Sequence, residues 1–335
     1  MAEHSFTMFT GSSDGTIVEA KLSTKLGPKD ALVKQTYSGV CSTDLHLSEK
    51  PCALGHEGVG IIEEMGAMAH LWTDLKIGDR VGFGWMQSYC GQCRSCLIGR
   101  DGLCEKGKEL WAPDNNTGSW GFGGVWDVTA LRKIPDSLES KYAGPLMCAG
   151  ATVWGAMQRG KIMSHHRVGV LGIGGLGHLA IQFLAKSGCE VVVLSSSDRK
   201  KQEAFDLGAT EFHTADAIKG DPEGLEPLTH LMVCTGAQPD YAVYMKIMAP
   251  AGIILPLTVD FEATPIPLAP TIFQGLNIIG VKVCDRWEYD AMFKFVVRHK
   301  VLPIIQEYPM TADGLNDAVR DLKQGKVRYR AVVKA

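Results

Sequence analysis

The sequence predicts an α/β protein that joins a β-rich domain to a domain with a doubly wound parallel sheet. Three observations lead to this prediction. The chain has 335 residues, and a chain of that length usually divides into two domains. Short β-like runs dominate its first 150 residues. Beyond that point strands alternate with helices, as they do around a parallel sheet.

The β-rich part, residues 1–150, contains four short runs of β-forming residues separated by Gly, Pro and Asp. This pattern is typical of a barrel-like β domain with long loops rather than of regular helix–strand alternation. The four runs cover residues 31–37, 59–64, 80–84 and 125–130.

A different rhythm begins near residue 150 and predicts the second domain, residues 151–287. Apolar residues alternate between strand runs and helical spacing, which indicates a parallel doubly wound sheet. The predicted elements are strand 168–171, helix 176–186, strand 190–194, helix 199–207 and strand 231–234.

The tail, residues 288–335, carries two amphipathic helical patterns, at 289–299 and 315–324. A final β-like run covers residues 329–333.

Composition and charge exclude several classes of function. The formal net charge is −3, which gives no electrostatic reason to bind nucleic acid or an anionic membrane. The N-terminus has no apolar signal-peptide region, and the most apolar long run, 168–185, contains five glycines and a histidine. We therefore expect a cytoplasmic protein that binds neither nucleic acid nor membrane.

Four of the ten cysteines lie close together in the pattern C-x2-C-x2-C-x7-C. Four thiolates with no open position are typical of a structural zinc site. An iron–sulfur cluster is the nearest alternative, but its bacterial pattern has a shorter last gap and a proline after the final cysteine, whereas Glu105 follows here. The predicted zinc ligands are Cys90, Cys93, Cys96 and Cys104.

A second, dispersed set of metal-binding side chains consists of Cys41, His56, Glu57 and Cys148. A catalytic zinc needs a few such ligands and one exchangeable position. Each residue also has an ordinary structural interpretation, because a buried cysteine often acts as a small apolar side chain. Spacing alone does not unite residues that lie more than a hundred positions apart.

A glycine-rich G-x-G-x-x-G segment directly follows the predicted strand 168–171 and begins a helix. In this context the glycines allow a tight turn and a close approach of the pyrophosphate of a dinucleotide. The helix N-terminus adds N–H donors and the positive end of a dipole. The predicted cofactor-binding residues are Gly172, Gly174, Gly175, Leu176 and Gly177.

The end of the next strand indicates which dinucleotide binds. An NAD site usually has an acidic residue there to hold the ribose 2′-hydroxyl. This chain instead has serines, which leave room for a 2′-phosphate, followed by two cations that can neutralise it. The alternative is a solvated helix start with Asp198 as a plain N-cap; Asp198 lies too far along the chain to be the expected ribose ligand, but it could interfere with the phosphate. The sequence thus favours NADP(H), bound by Ser195, Ser196, Ser197, Arg199 and Lys200.

With these motifs in view, the sequence resembles the medium-chain zinc alcohol dehydrogenases. The segments that carry the resemblance are GVCSTDLH, GHEGVG, RVGFGW, the four-cysteine lobe, CAGATVW and GIGGLGHLAIQFLAKSG. Within that family the chain is most similar to the NADP-dependent, cinnamyl-alcohol-dehydrogenase-like branch. The resemblance covers nearly the whole chain.

The resemblance implies roles for the dispersed residues. Cys41, His56 and Cys148 would hold a catalytic zinc, and Glu57 would be an alternate ligand. Further side chains would complete the catalytic site: Thr43 would bond the substrate oxygen, His46 would receive the proton at the end of a relay, and Asp44 would orient the liganding histidine.

The resemblance also implies a GroES-like catalytic domain interrupted by the nucleotide domain, so that the tail from residue 288 returns to the first domain. It implies a homodimer or a tetramer, of which we expect the homodimer. Two departures from the family pattern stand out. The loop 47–54 is short, and the sequence Gly280–Cys284 replaces the usual Gly-Ser-x-x-Gly.

The leading hypothesis is therefore zinc-dependent hydride transfer between NADP(H) and a primary alcohol or aldehyde. Five aromatic residues suggest a cleft for allylic or aryl substrates, with ordinary packing as the alternative. A second hypothesis is NADPH-dependent reduction of a C=C or C=N bond on the same fold. A third, a zinc-based nucleic-acid or interaction module, is disfavoured by the acidic balance. The aromatic residues are Trp85, Trp111, Trp120, Phe122 and Trp126.

Overall fold

The computed structural model describes residues 3–110, 112, 116–222 and 224–335. Backbone contacts divide the chain into two units. The first unit comprises the residues up to Cys148 together with Asp285–Val297 and Pro303–Ala335. The second comprises Ala149–Cys284 and Arg298–Leu302. The chain therefore leaves the first unit after Cys148, returns at Asp285, and leaves it again only for the short segment Arg298–Leu302.

Strands and helices are numbered in chain order. The strands are β1 (Glu3–Thr10), β2 (Val18–Lys25), β3 (Asp30–Val40), β4 (Gly58–Met65), β5 (Arg80–Phe83), β6 (Gly123–Asp127), β7 (Arg132–Lys133), β8 (Arg167–Leu171), β9 (Glu190–Ser195), β10 (Glu211–Thr214), β11 (Leu228–Val233), β12 (Met248–Pro256), β13 (Asn277–Ile278), β14 (Ile305–Pro309) and β15 (Arg330–Lys334). The α-helices are α1 (Ser42–Leu45), α2 (Arg94–Leu97), α3 (Ser140–Pro145), α4 (Ala151–Arg159), α5 (Gly177–Lys186), α6 (Lys201–Asp206), α7 (Ala215–Gly220), α8 (Tyr241–Tyr244), α9 (Leu268–Phe273), α10 (Glu288–His299) and α11 (Ala312–Lys323).

The first unit is built on β-sheets. Strands β1 and β2 form an antiparallel hairpin, and a seven-stranded sheet runs in the order β14-β15-β3-β4-β5-β7, with β6 also paired to β3. Along β3, alternate residues such as Ala31, Val33 and Gln35 are buried, as expected of a strand with one face on a core. Phe83 and Trp126 meet in that core with ring centroids 4.2 Å apart.

The second unit is a parallel six-stranded sheet in the order β10-β9-β8-β11-β12-β13. Numbered within the unit, this order is 3-2-1-4-5-6, that of a doubly wound dinucleotide-binding sheet. Strand β8 is buried along its whole length, because helices cover both faces of such a sheet. The predicted α/β fold class is confirmed.

Several predicted elements differ from the structure by one to three residues at an end, and in two of them part of the predicted element is a 3-10 turn. The strand predicted over 125–130 ends at Asp127, and residues 128–130 form a 3-10 turn. The cause is a cap, because the Asp127 carboxylate accepts the N–H and the hydroxyl of Thr129 at 2.8 and 2.5 Å. The helix predicted over 199–207 begins with a 3-10 turn at Asp198 and continues as α6.

None of the helices within the described residues combines the length and the hydrophobicity that crossing a bilayer requires.

Candidate metal centres and nucleotide loop

The four cysteines of the first unit converge on one point. Their ligand sulfurs all lie within 4.8 Å of one another. Three Sγ–Sγ separations are 3.9 Å (Cys90 to Cys96), 3.9 Å (Cys93 to Cys104) and 3.5 Å (Cys90 to Cys104). Since Zn–S bonds of about 2.3 Å make a tetrahedron with edges of about 3.8 Å, this cluster fits a tetrahedral zinc ion.

Backbone groups of the lobe favour thiolate at Cys90, whereas burial raises the pKa of Cys96 to about 12. The N–H of Gln92, and then that of Cys93, lower the pKa of Cys90 to about 6. Helix α2 begins directly after Cys93 and carries Cys96, so one short turn delivers two of the four ligands.

The dispersed residues also come together. The ligand atoms of Cys41, His56, Glu57 and Cys148 lie within 4.8 Å of one another. Among the described residues, this set and the four-cysteine cluster are the two groupings of metal-binding side chains. The structure thus brings together four residues that sequence spacing could not join.

Asp44 holds this set in place through hydrogen bonds to His56 and to the backbone beside the ligands. Its side chain is fully buried, and its Oδ1 lies 2.8 Å from Nδ1 of His56. The same carboxylate accepts the backbone N–H groups of Cys41 at 3.1 Å and Gly55 at 3.2 Å. A carboxylate at Nδ1 assigns the proton to that nitrogen and leaves Nε2 of His56 free to bind a metal.

Cys148 lies in an unusual turn. Helix α3 ends at Pro145, and residues 146–150 continue as a π-helical turn. Proline has no N–H for an α-helical hydrogen bond, and single π-turns of this kind are frequent at functional sites. The wider turn presents the Cys148 side chain to the other three residues.

Glu57 is held by a residue that no sequence motif indicated. Arg330 of β15 donates to its Oε1, and both side chains are buried. The second oxygen of Glu57 is buried with no hydrogen-bond partner among the described residues. An orphaned carboxylate oxygen beside two thiols and an imidazole is well suited to a cation.

Burial and neighbouring charges set the protonation of this set. Burial, opposed by the charge of Arg330, raises the pKa of Glu57 to about 7. A hydrogen bond from Cys148 holds the pKa of Cys41 well below its usual value. Burial by itself would lower the pKa of His56, but the Asp44 carboxylate raises it well above the usual value. The site therefore favours a thiolate at Cys41, the form that binds metals.

Thr43 and His46 lie in and just after α1. The Oγ1 of Thr43 is 3.7 Å from Sγ of Cys41, so its hydroxyl borders the dispersed set. His46 is the C-cap of α1 and is exposed.

The glycine-rich segment of the second unit lies between β8 and α5. Gly172 has a φ of +95°, which favours glycine. A Cβ on Gly177 would lie 1.9 Å from the carbonyl oxygen of Gly172, so no larger residue fits there. At Gly174 a Cβ would meet only one atom, at 4.0 Å. These positions leave an open, donor-lined turn at the N-terminus of α5.

Ser195 ends β9, and the other two serines and the two cations follow it along the chain. Ser195 is buried, while Ser196 and Arg199 are exposed. Lys200 donates from Nζ to the carbonyl oxygen of Ile173 at 2.8 Å, which ties it to the glycine-rich turn.

The aromatic cleft expected from the sequence is only partly present. Trp120 and Trp126 are fully buried core residues, so that prediction is wrong for them and ordinary packing applies. Trp85 is buried with its ring edge-on to His56, at 5.5 Å between centroids, and Phe122 is exposed. Trp111 lies outside the described residues.

Comparison with known proteins identifies the family. Residues 27–135 match the family described as "Alcohol dehydrogenase GroES-like domain", and residues 175–298 match "Zinc-binding dehydrogenase". "Aldehyde reductase AdhA" of Synechocystis sp. is 32% identical over 324 residues, covering 92% of each chain.

Two solved structures share the whole fold. A cinnamyl alcohol dehydrogenase from Sorghum bicolor, SbCAD4, has a TM-score of 0.89 at 28% identity, covering 99% of this chain and 98% of that one. A CAD from Helicobacter pylori, described as complexed with NADP(H), has a TM-score of 0.88 at 25% identity, covering 99% of both chains.

Proposed function

The chain belongs to the zinc-binding alcohol dehydrogenase family, and on that premise we propose that it transfers hydride between NADP(H) and a primary alcohol or aldehyde. The observation that carries the proposal is the open donor set, Cys41, His56 and Cys148, beside which Glu57, bonded by Arg330, would serve as an alternate ligand. Three protein ligands leave one position for a substrate oxygen.

We assign two zinc ions to each chain, one for each cluster of ligands. The four-cysteine cluster has no open position and would be structural, whereas the dispersed set would be catalytic. When bound, the catalytic zinc supplies Lewis acidity to an alcohol or carbonyl oxygen, and the nicotinamide gives or accepts the hydride.

The chain's own residues would handle the proton. Thr43 borders the donor set, so its hydroxyl can take a proton from the substrate oxygen and pass it outward. His46 is exposed and can exchange that proton with solvent. Asp44 keeps the imidazole of His56 in one tautomer, so that its Nε2 always faces the donor set.

NADP(H) is the proposed dinucleotide. The glycine-rich turn would take the pyrophosphate, and Ser195, Arg199 and Lys200 would surround the 2′-phosphate of the adenosine ribose. The NADP(H)-complexed CAD from Helicobacter pylori supports this assignment.

We further propose an allylic or aryl substrate class. Trp85 lies edge-on to His56 and offers an apolar ring surface beside the donor set. The similar solved structure named as a cinnamyl alcohol dehydrogenase supports this substrate class. A homodimer in the cytosol completes the proposal, and the ten unpaired cysteines suit such a reducing compartment.

A purified-enzyme assay tests the activity. Cinnamaldehyde and a saturated aldehyde of similar size are each reduced with NADPH, before and after chelation and after return of zinc. We expect zinc-dependent NADPH oxidation that is faster with cinnamaldehyde. If no aldehyde gave zinc-dependent oxidation, the proposed function would be wrong.

A matched pair of lysine variants tests the choice of dinucleotide. Lys200→Ala removes a cation tied to the glycine-rich turn, whereas Lys201→Ala removes its exposed neighbour. We expect the KM for NADPH to rise about tenfold or more in the first variant only, with the KM for NADH unchanged. Equal effects on both dinucleotides would contradict a 2′-phosphate contact.

A further inference from the structure

The segment with which the chain returns to the first unit, beginning at Asp285, is hydrogen-bonded to the four-cysteine lobe. Asp285 accepts the N–H of Gly102 at 2.9 Å. The indole N–H of Trp287 lies 3.2 Å from the carbonyl oxygen of Gly99. Each of these lobe residues lies between the third and fourth cysteines, so the returning segment is fastened inside the metal-binding loop.

An ion pair strengthens the same contact. The Nε and the backbone N–H of Arg286 donate to the two carboxylate oxygens of Asp101 at 2.5 and 2.8 Å. Asp101 and Asp285 are both buried, at 5% and 2% exposure. A buried carboxylate that loses its donors is costly, so the lobe and the returning segment are expected to move together.

Three residues after Arg286, the same segment contacts the turn that carries Cys148, a member of the dispersed metal-binding set. The hydroxyl of Tyr289, in the first turn of α10, lies 3.3 Å from the carbonyl oxygen of Met147. Met147 immediately precedes Cys148 in the π-helical turn. Both Tyr289 and Met147 are buried, so this contact is shielded from water.

A stack of two guanidinium groups and two aromatic rings connects the contact of Arg286 with the lobe to the contact of Tyr289 with Met147. The guanidinium of Arg286 lies 4.8 Å from the ring centroid of Tyr89, the residue before Cys90. The guanidinium of Arg132 lies 5.8 Å from the Tyr89 ring and 5.8 Å from the Tyr289 ring. These distances are within the range of cation–π attraction.

From these contacts we propose that residues 285–289, here called the brace, are positioning residues that couple the four-cysteine lobe to Cys148. The brace fixes the backbone of the π-helical turn, and the lobe fixes the brace. A metal ion in the closed cluster would in this way help to hold a ligand of the open one. The inference rests on the proposed function, because it needs both zinc sites.

Zinc release from the loaded protein tests the brace without any use of activity. A chromophoric chelator follows the release, and the phase that is missing from a Cys148→Ser variant identifies the open site. We expect Arg286→Met and Tyr289→Phe to release open-site zinc about tenfold faster, the usual scale for loss of a contact behind a ligand. Cobalt substituted at the open site should show a shifted thiolate absorption band in both variants.

Two matched variants control for general effects. Glu105→Gln changes an exposed lobe residue whose side chain bonds Ser95, and Tyr308→Phe removes a hydroxyl that bonds Asp321 and Gln306. Neither touches the brace, so both should keep the original release rate and spectrum.

The outcomes separate the two proposals. Open-site release in Tyr289→Phe that matches Tyr308→Phe would overturn the brace, as would an Arg286→Met variant that accelerates only the four-cysteine phase. Because Tyr289→Phe removes a single buried oxygen, it tests the coupling even where the arginine variant folds poorly. An unmodified chain that binds fewer than two zinc ions would instead contradict the proposed function.

Discussion

Replacing Asp44 by asparagine changes one carboxylate oxygen, a hydrogen-bond acceptor, into an NH2 group, a hydrogen-bond donor. The change lies directly behind the metal ligand His56. The carboxylate serves three donors, since Oδ1 faces His56 and the N–H of Gly55 while Oδ2 faces the N–H of Cys41. An asparagine that keeps its oxygen towards His56 turns its NH2 group towards the N–H of Cys41. Two donors then face each other in a fully buried position.

The structure sets the size of the effect. One buried N–H left without an acceptor costs about 1–3 kcal/mol. Loss of the carboxylate behind a metal-binding histidine lowers metal affinity about 10–100-fold. We therefore expect Asp44→Asn to lower the unfolding free energy of the metal-free protein by about 1–3 kcal/mol and to weaken open-site zinc binding about 10–100-fold.

Urea unfolding and chelator competition measure the two quantities. Asp14→Asn is the control, because Asp14 is also a carboxylate that accepts a backbone N–H, from Thr16 at 2.9 Å, but in an exposed turn. Its stability should change little, as for most surface substitutions. If Asp44→Asn bound zinc as tightly as Asp14→Asn, the assigned role of Asp44 would be refuted.

Three further predictions follow from single contacts. Thr43→Val should slow alcohol oxidation about 100-fold or more in steady-state assays, whereas reduction of a C=C or C=N bond without a proton relay would survive. Arg330→Met should cost about 3–5 kcal/mol in urea unfolding, because it leaves Glu57 buried without its cation, and adding Glu57→Gln should recover part of that loss; equal losses in the single and double variants would argue against the pair. Glu211, whose pKa is lowered from 4.5 to about 2, chiefly by the hydrogen bond from Arg167, stabilises the fold above pH 4.5 and loses that contribution as the pH falls towards 2. Glu211→Gln should therefore lower the free energy of unfolding near neutral pH by about 1 kcal/mol after solvent screening, which a lower melting temperature would report. This loss of stability should shrink in acid. A loss that did not depend on pH would contradict the ion pair.

Local patterns were sufficient to predict three of the six strands of the second unit, β8, β9 and β11, and two of its helices, but not β10, β12 or β13. A strand, a G-x-G-x-x-G turn and an amphipathic helix are specified by neighbouring residues, and β8 and α5 lie close to where those patterns put them. The hairpin of β1 and β2 was not predicted. Its two strands are mostly polar or half-exposed, and they lack the buried alternation that reveals a strand in a sequence.

Among the candidate sites, too, the residues that lie close together in the sequence could be predicted, and those that lie far apart could not. The four-cysteine cluster could be predicted because its ligands lie within one short loop, where spacing implies proximity. Arg330 could not, because its partner Glu57 is 273 positions away and nothing local marks an arginine as buried. The contacts of Asp101 with Arg286 span 185 positions and arise only when the chain returns to the first unit.

The short distances between the lobe sulfurs make the metal-free cluster sensitive to oxidation. Cys90 and Cys104 are 3.5 Å apart, and a disulfide bond is about 2.05 Å long, so a small rotation of two side chains would join them after a two-electron oxidation. A metal ion blocks this reaction by occupying both sulfurs. Chains that lose zinc under oxidising conditions would thus be removed from the active pool until a thiol reductant restores them.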